Sequence, residues 1–239
     1  MIRLALIGKS IQHSKSPEIY KRLFKTEVEY ELLDYNQESL IPTAKELSLR
    51  FRGINITSPY KKYFINQVKL TPNAELVGAI NCLSFKNNLI VGENTDFLAI
   101  IEILKKKIKN YGKLSVLVLG DGVMAQLTLI ALKTLKVEFR QISRKTSDNF
   151  DQINLDEAFE NLFNNLNQKL VINTCSRDFI FKGIIDNKTC FWDYNYDFAP
   201  HQNYLGNLCL NFEDGLELLE LQAHFAIAFW SDSIGELNN

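Results

Sequence analysis

Residues 114–125 read LSVLVLGDGVMA. Leu114 to Leu119 is a near-continuous apolar run, the pattern of a strand buried on both faces within a parallel sheet. Gly120, Gly122 and Ala125 follow in a G-x-G-x-x-A spacing, between that strand and the helical stretch "VMAQLTLIALKTL". The first glycine permits a tight turn, the second lets a pyrophosphate approach the backbone, and the amides at the helix start face the anion. This order predicts a dinucleotide site built from Gly120, Asp121, Gly122, Val123, Met124 and Ala125, against the plainer alternative of an ordinary turn. Asp121 sets a like charge beside a pyrophosphate and Val123 adds bulk, so a loosened site is expected.

Working outward, "VEFRQISR" (137–144), "KLVINTCS" (169–176) and "CFWDYNYDF" (190–198) read as further strands, and "ENLFNNLNQK" (160–169) as loop or helix end. Strands alternating with helices predict an α/β fold with a parallel sheet. A cofactor with a free ribose 2′-hydroxyl usually meets an acidic side chain at the end of the second strand. Ser143, Arg144 and Lys145 stand there instead. A guanidinium and an ammonium suit a 2′-phosphate, which predicts NADP rather than NAD; a solvated basic turn is the alternative.

The first half of the chain carries a mixed pattern. Strands are expected at 3–8, 28–35, 52–57, 79–85 and 89–95, with "KNN" (86–88) as the turn between the last two. Helices are expected from Ser16 as N-cap, with Pro17 in the first turn, over "IPTAKELSLRF" (41–51), and from Asp96 to about Lys109. "GLELLELQAHFAIAFW" (215–230) is a long apolar stripe, read as core rather than as an oligomer interface. The domain boundary is placed in the helix after Asp96.

The chain has 239 residues, 46% of them hydrophobic and 23% charged, with a formal net charge of −1. That length can bury one large or two modest cores, and the charge gives no electrostatic case for nucleic acid. No apolar stretch reaches the roughly 20 residues of a spanning helix, and no signal peptide is read at the N-terminus. Cys82, Cys175, Cys190 and Cys209 form no C-x-x-C pair, and packed thiols in a cytoplasmic protein are expected. His13, His201 and His224 are scattered, so no metal site is expected.

Four short segments end apolar stretches with groups suited to a small, polyhydroxylated acid. "HSKSP" offers Ser14 and Ser16, and "NITSPYK" offers Thr57 and Lys61. "GAIN" offers Asn81, and "GENTD" offers Asn94, Thr95 and Asp96. Each alone is a routine cap or turn; their order before a dinucleotide loop is what joins them. Lys61 and Asp96 carry opposite charges at predicted strand ends. Brought together, they form a coupled pair that can give a proton to a carbonyl oxygen as hydride arrives and take it back in reverse.

With these segments in hand, the chain resembles the shikimate dehydrogenase family. The family's G-x-P-x-x-H-S-x-S-P reads here "GKSIQHSKSP", its G-x-N-V-T-x-P-x-K reads "GINITSPYK", and its G-A-x-N-T reads "GAINC". Its G-x-N-T-D reads "GENTD", its N-R-T reads "SRK", and its closing D-G-x-x-M-L-x-x-Q reads "DGLELLELQ". The matches keep the family's order from Gly8 to Gln222. The resemblance implies two domains: an N-terminal α/β substrate domain, 1–98, completed by a C-terminal helix, 216–239, and a Rossmann-type NADP-binding domain with a parallel sheet, 99–215. It implies that Ser14 and Ser16 hold the substrate carboxylate. Thr57, Asn81, Tyr196 and Gln222 line the rest of the substrate pocket, Lys61 and Asp96 are the catalytic pair, and Tyr194 and Gly215 line the nicotinamide. The implied reaction is reversible NADPH reduction of 3-dehydroshikimate to shikimate, in aromatic amino-acid biosynthesis, by a monomer or homodimer. A quinate/shikimate dehydrogenase using NAD and a non-catalytic ligand-binding homologue remain as rivals. The first is separated by rates with both substrates and cofactors, the second by binding without turnover.

Overall fold

In the computed structural model, which describes residues 2–24, 27–86, 89–163 and 167–234, the first half of the chain builds β1 (Ile2–Gly8), α1 (Ser16–Leu23), β2 (Val28–Asp34), α2 (Ala44–Ser48) and β3 (Gly53–Ile56). It continues through β4 (Lys69–Leu70), α3 (Pro72–Val77), β5 (Cys82–Lys86), β6 (Leu89–Glu93) and α4 (Thr95–Tyr111). The second half builds β7 (Leu114–Leu119), α5 (Val123–Thr134), β8 (Glu138–Ile142), α6 (Leu155–Leu162) and β9 (Gln168–Asn173). It closes with β10 (Cys190–Asp193), α7 (Ala199–Leu205), β11 (Asn211–Glu213) and α8 (Leu216–Ile234). Residues up to Ala99 and from Leu219 onward form one compact unit, and Ile100–Leu218 form the other.

The first unit is a mixed sheet in the order β2-β1-β3-β5-β6-β4. β1 runs parallel to β2 and β3, while β5 is antiparallel to β3 and to β6. Strand alternation sorts side chains between two cores. Ala5, Ile7 and Ile54 pack with Leu47, Phe51 and Phe64 on one face. Leu4 and Cys82 pack with Ile19, Tyr20, Ala223, Ala226 and Trp230 of α1 and α8 on the other. The last helix thus joins the first unit, where the indole N–H of Trp230 donates to the Leu83 carbonyl at 2.9 Å.

The second unit is an all-parallel sheet in the order β8-β7-β9-β10-β11. β7 is fully buried, as its apolar run requires. The chain reverses direction of winding between β7 and β9, and the carboxyl ends of those strands are the topological switch point where doubly wound sheets bind ligands. The sheet is the Rossmann type with one strand fewer than the six-stranded order on the β8 side.

Four expectations are corrected. Ser16 is the first residue of α1 and not its cap; the Ser14 hydroxyl accepts the Ser16 N–H at 3.2 Å and turns the chain into the helix. The helix over 41–51 shrinks to α2, started by a capping box between Thr43 and Glu46. The strand over 190–198 stops at Asp193, because the Asp193 carboxylate accepts the Asn195 N–H at 3.0 Å and bends the chain there. The short pieces β4 and α3, between Lys69 and Val77, add to the elements expected from the sequence. Asn87 and Asn88 of the "KNN" turn lie outside the described residues. Among the described residues no helix is long and apolar enough to cross a membrane.

Candidate active site

In the first unit, the polar segments found in the sequence gather at the ends of β1, β3 and β5 and the start of α4. β3 carries Ile54 and Ile56 into the core, so Asn55 faces the α1 and α8 side. Its carboxamide accepts from the Tyr30 hydroxyl at 2.8 Å and donates to the Asn81 carbonyl at 3.4 Å. The chain beyond β3 is tied back by Thr57 N–H to the Ile7 carbonyl at 2.8 Å. Lys61 is tied in turn by its carbonyl, which accepts the Ile80 N–H at 2.8 Å. Lys61 is thereby fixed next to Asn81.

Asn94 caps α4 by accepting the Phe97 N–H at 2.9 Å, and donates to the Ala79 carbonyl at 2.9 Å. This cap sets Asp96 in the first turn of the helix, where the helix dipole favours a carboxylate. The Lys61 ammonium meets the Asp96 carboxylate at 2.7 Å, with side-chain exposures of only 9% and 13%. Removing one partner of such a buried pair leaves an uncompensated charge, at a cost of about 3–5 kcal/mol.

Asn81 is only 3% exposed, and its Oδ1 accepts both the Thr95 N–H at 2.6 Å and, at 3.1 Å, the Thr95 hydroxyl. These contacts occupy its amide oxygen. Gln222, on α8, reaches Thr95 at 3.4 Å through Oε1. Ser14 and Ser16 sit with their hydroxyls 3.1 Å apart. Two adjacent neutral hydroxyls can hold a carboxylate by hydrogen bonds without cancelling its charge. The first unit therefore brings together Ser14, Ser16, Thr57, Lys61, Asn81, Asp96 and Gln222. Asn55 and Thr95 belong to the same network and lie outside the set that the resemblance implies. The signal for Asn55 is an amide flanked by isoleucines in a buried strand, which needs partners.

In the second unit, Gly120 ends β7 with φ +115°, and a Cβ there would stand 2.6 Å from the Thr174 hydroxyl. Only glycine fits that turn. Gly122 precedes α5 and contributes no side-chain cap, and a Cβ there would meet nothing within 4 Å. The space beside Gly122, at the N-terminal end of α5, is therefore open, and a helix start is where an anion is favoured. Asp121 forms an ion pair with Lys145 at 2.7 Å, which holds its carboxyl below the usual range. The basic turn is shaped by Ser143, whose carbonyl accepts the Thr146 N–H at 2.9 Å and whose N–H goes to the Thr146 hydroxyl at 2.9 Å. Arg144 and Lys145 are left exposed.

Tyr194 and Gly215 come together: a Cβ on Gly215 would lie 2.1 Å from the Tyr194 carbonyl oxygen. The Tyr194 hydroxyl lies 2.7 Å from that of Thr128 on α5, and Thr128 donates to the Met124 carbonyl at 2.8 Å or shares its proton with Tyr194. Tyr196 lies in this second unit, its carbonyl accepting from Arg177 at 2.8 Å. Val123 and Ala125 open α5, with Ala125 fully buried against the sheet.

The model of the shikimate dehydrogenase substrate binding domain matches residues 6–83. A shikimate dehydrogenase (NADP(+)) of Helicobacter acinonychis is 30% identical over 249 residues, 95% of this chain and 92% of the relative. The corresponding protein of Buchnera aphidicola subsp. Schizaphis graminum is 27% identical over 257 residues, 98% of this chain and 93% of the relative. The crystal structure of shikimate 5-dehydrogenase from Thermus thermophilus in complex with shikimate superposes with a TM-score of 0.74 at 25% identity, over 97% of this chain and 93% of that one. Similarity that spans both units in each of these relatives extends well past the matched substrate domain, and the chain belongs to the shikimate dehydrogenase family.

Proposed function

We propose that the chain is an NADP-dependent shikimate dehydrogenase of the cytoplasm, interconverting 3-dehydroshikimate and shikimate in aromatic amino-acid biosynthesis. The observation that carries the reading is the nearly buried Lys61–Asp96 pair at 2.7 Å, set among uncharged hydrogen-bonding groups in a fold whose second unit ends its central strand in a glycine turn. The unit that contains this pair takes the substrate, and Ile100–Leu218 takes the cofactor.

Ser14 and Ser16 hold the substrate carboxylate. Thr57, Asn81 and Gln222 read ring hydroxyls. The cofactor, when bound, supplies hydride to the carbonyl carbon or accepts it in reverse. Hydride addition leaves negative charge on the former carbonyl oxygen. The Lys61 ammonium stabilises that charge and gives up a proton to it, and Asp96 holds the ammonium in place and shares its proton. In the oxidative direction Lys61 takes the hydroxyl proton back. Gly120, Gly122 and the first amides of α5, with Val123, Met124 and Ala125, fit a pyrophosphate. Arg144 and Lys145, presented by the Ser143 turn, fit a 2′-phosphate, and Tyr194 with Gly215 flanks the nicotinamide.

The test is shikimate-dependent reduction of NADP, with quinate and NAD as alternatives. Turnover with shikimate and NADP well above the other combinations is expected. Lys61→Ala is expected to lose about 10³-fold in turnover while shikimate still binds. Turnover equal to that of the unaltered chain would end this assignment.

A further inference from the structure

Tyr20 lies on α1 and is fully buried, in the same core as Cys82, Ala223 and Trp230. Its ring stacks on that of Tyr30 with centroids 4.8 Å apart and leans on Trp230 at 5.4 Å. Among the described residues, its hydroxyl is the buried side-chain oxygen left without a hydrogen-bond partner. A phenylalanine would fill the same space without that cost, so an oxygen kept here points to a use for it.

The surroundings indicate the use. Tyr30 is already committed, its hydroxyl donating to Asn55 at 2.8 Å. Gln222 adjoins Ala223, which packs in the same core as Tyr20, and the carboxamides of Asn55 and Gln222 lie near enough to the Tyr20 hydroxyl to oppose the rise that burial gives it, without meeting hydrogen-bond geometry. Gln222 is weakly held. The Thr95 hydroxyl has one proton and two acceptors in reach, Asn81 Oδ1 at 3.1 Å and Gln222 Oε1 at 3.4 Å, and the nearer acceptor is favoured. The remaining tie of the Gln222 carboxamide is to the Leu219 carbonyl at 2.9 Å, within its own helix. A donor without an acceptor thus stands beside an acceptor short of a donor.

We propose that Tyr20 is a positioning residue of the substrate site: its hydroxyl donates to the Gln222 carboxamide when substrate is bound and fixes the orientation in which Gln222 reads a ring hydroxyl. The inference rests on the shikimate reading given above. It assigns Tyr20 no contact with the reacting atoms, so its effect falls on substrate affinity rather than on hydride transfer.

Tyr20→Phe in the full chain removes the oxygen and keeps the ring. The expected result is a KM for shikimate raised about tenfold, as for one lost hydrogen bond. The kcat and the KM for NADP should change less than about twofold, and the melting temperature should be equal or higher, since a buried unpaired oxygen has been removed. In a Gln222→Ala background, Tyr20→Phe should have no further effect on the shikimate KM. An unchanged KM in Tyr20→Phe overturns the proposal, and so do effects that multiply in the double variant. An unaltered chain that neither binds nor oxidises shikimate would instead sink the proposed function, and direct shikimate titration of both proteins separates that outcome from a failure of the Tyr20 assignment alone.

Discussion

Asp121 is the residue at which the cofactor site departs most from what a dinucleotide asks of it. Beside a pyrophosphate it contributes repulsion, yet it also occupies Lys145, one of the two cations presented by the basic turn. The hydrogen bond from Lys145 holds the Asp121 carboxyl below its usual range, with burial opposing and the charges of Lys145 and Arg144 reinforcing. A depressed value means that the pair is intact above the ordinary carboxyl range and is lost as pH falls through the lowered one. At neutral pH Lys145 is therefore engaged by Asp121 before any 2′-phosphate arrives. Asp121→Asn is expected to lower the KM for NADP several-fold at low ionic strength and that for NAD by less, since NAD shares the pyrophosphate but gains nothing from a released Lys145. The gain should shrink toward about 0.5 M salt, where exposed charges are screened within a few ångströms. Arg144→Ala should do the opposite, raising the KM for NADP while leaving that for NAD alone. An Asp121→Asn variant with unchanged NADP affinity at low salt would show that the carboxylate points away from the 2′-phosphate.

At the scale of elements, α8 shows how a sequence pattern can be legible in kind and silent on address. Its apolar stripe reads as core from the residues alone. That the stripe belongs to the first unit, far back along the chain, comes only from the resemblance, because periodicity records that a face is buried and not what covers it. The structure supplies the cover: Trp230 is fully buried and donates to the Leu83 carbonyl on β5. Trp230→Ala removes both the ring and the donor, and is expected to cost about 3–5 kcal/mol, read as a lower urea midpoint at an unchanged slope. A loss below about 1 kcal/mol would mean that α8 contributes little to this core. The same limit explains the other gains and misses. β7 and its glycine turn are readable because a doubly buried strand and a φ of +115° each restrict the residue types allowed. The short β11 and α7 are not, since three and seven residues carry too little periodicity to stand out. α3 has signals, with Thr71 accepting the Ala74 N–H and Pro72 in the first turn, but it sits against a run that reads equally well as the approach to β5. Lys61 and Asp96 are legible as a pair only through their neighbours; nothing in a separation of thirty-five residues fixes a contact of 2.7 Å.

Across the whole molecule, the groups that burial perturbs most strongly are weak acids kept neutral. All four thiols are free. Burial pushes the Cys175 thiol up to about 12 and raises those of Cys190 and Cys209. In the first unit burial raises Cys82, helped by the carboxylates of Glu93 and Asp96, and raises Tyr20 and Tyr30 as well. In the unfolded chain thiols ionise near about 8.5 and phenols near about 10. Between those values and the raised ones, the unfolded chain releases protons that the folded chain keeps. Stability from these groups is therefore fully present below about pH 8.5 and is lost as pH rises toward the folded values. The urea midpoint should fall steadily between about pH 8 and about pH 10.5, and Cys175→Ala should make that fall shallower without changing its sign. At about pH 8 the Cys175 thiolate population is lower than that of an unperturbed thiol by roughly 10³-fold, so iodoacetamide should label it far more slowly in the native chain than in urea. A urea midpoint flat across the alkaline range, together with native labelling of Cys175 at the rate of a free thiol, would show that these groups are open to water in the folded protein.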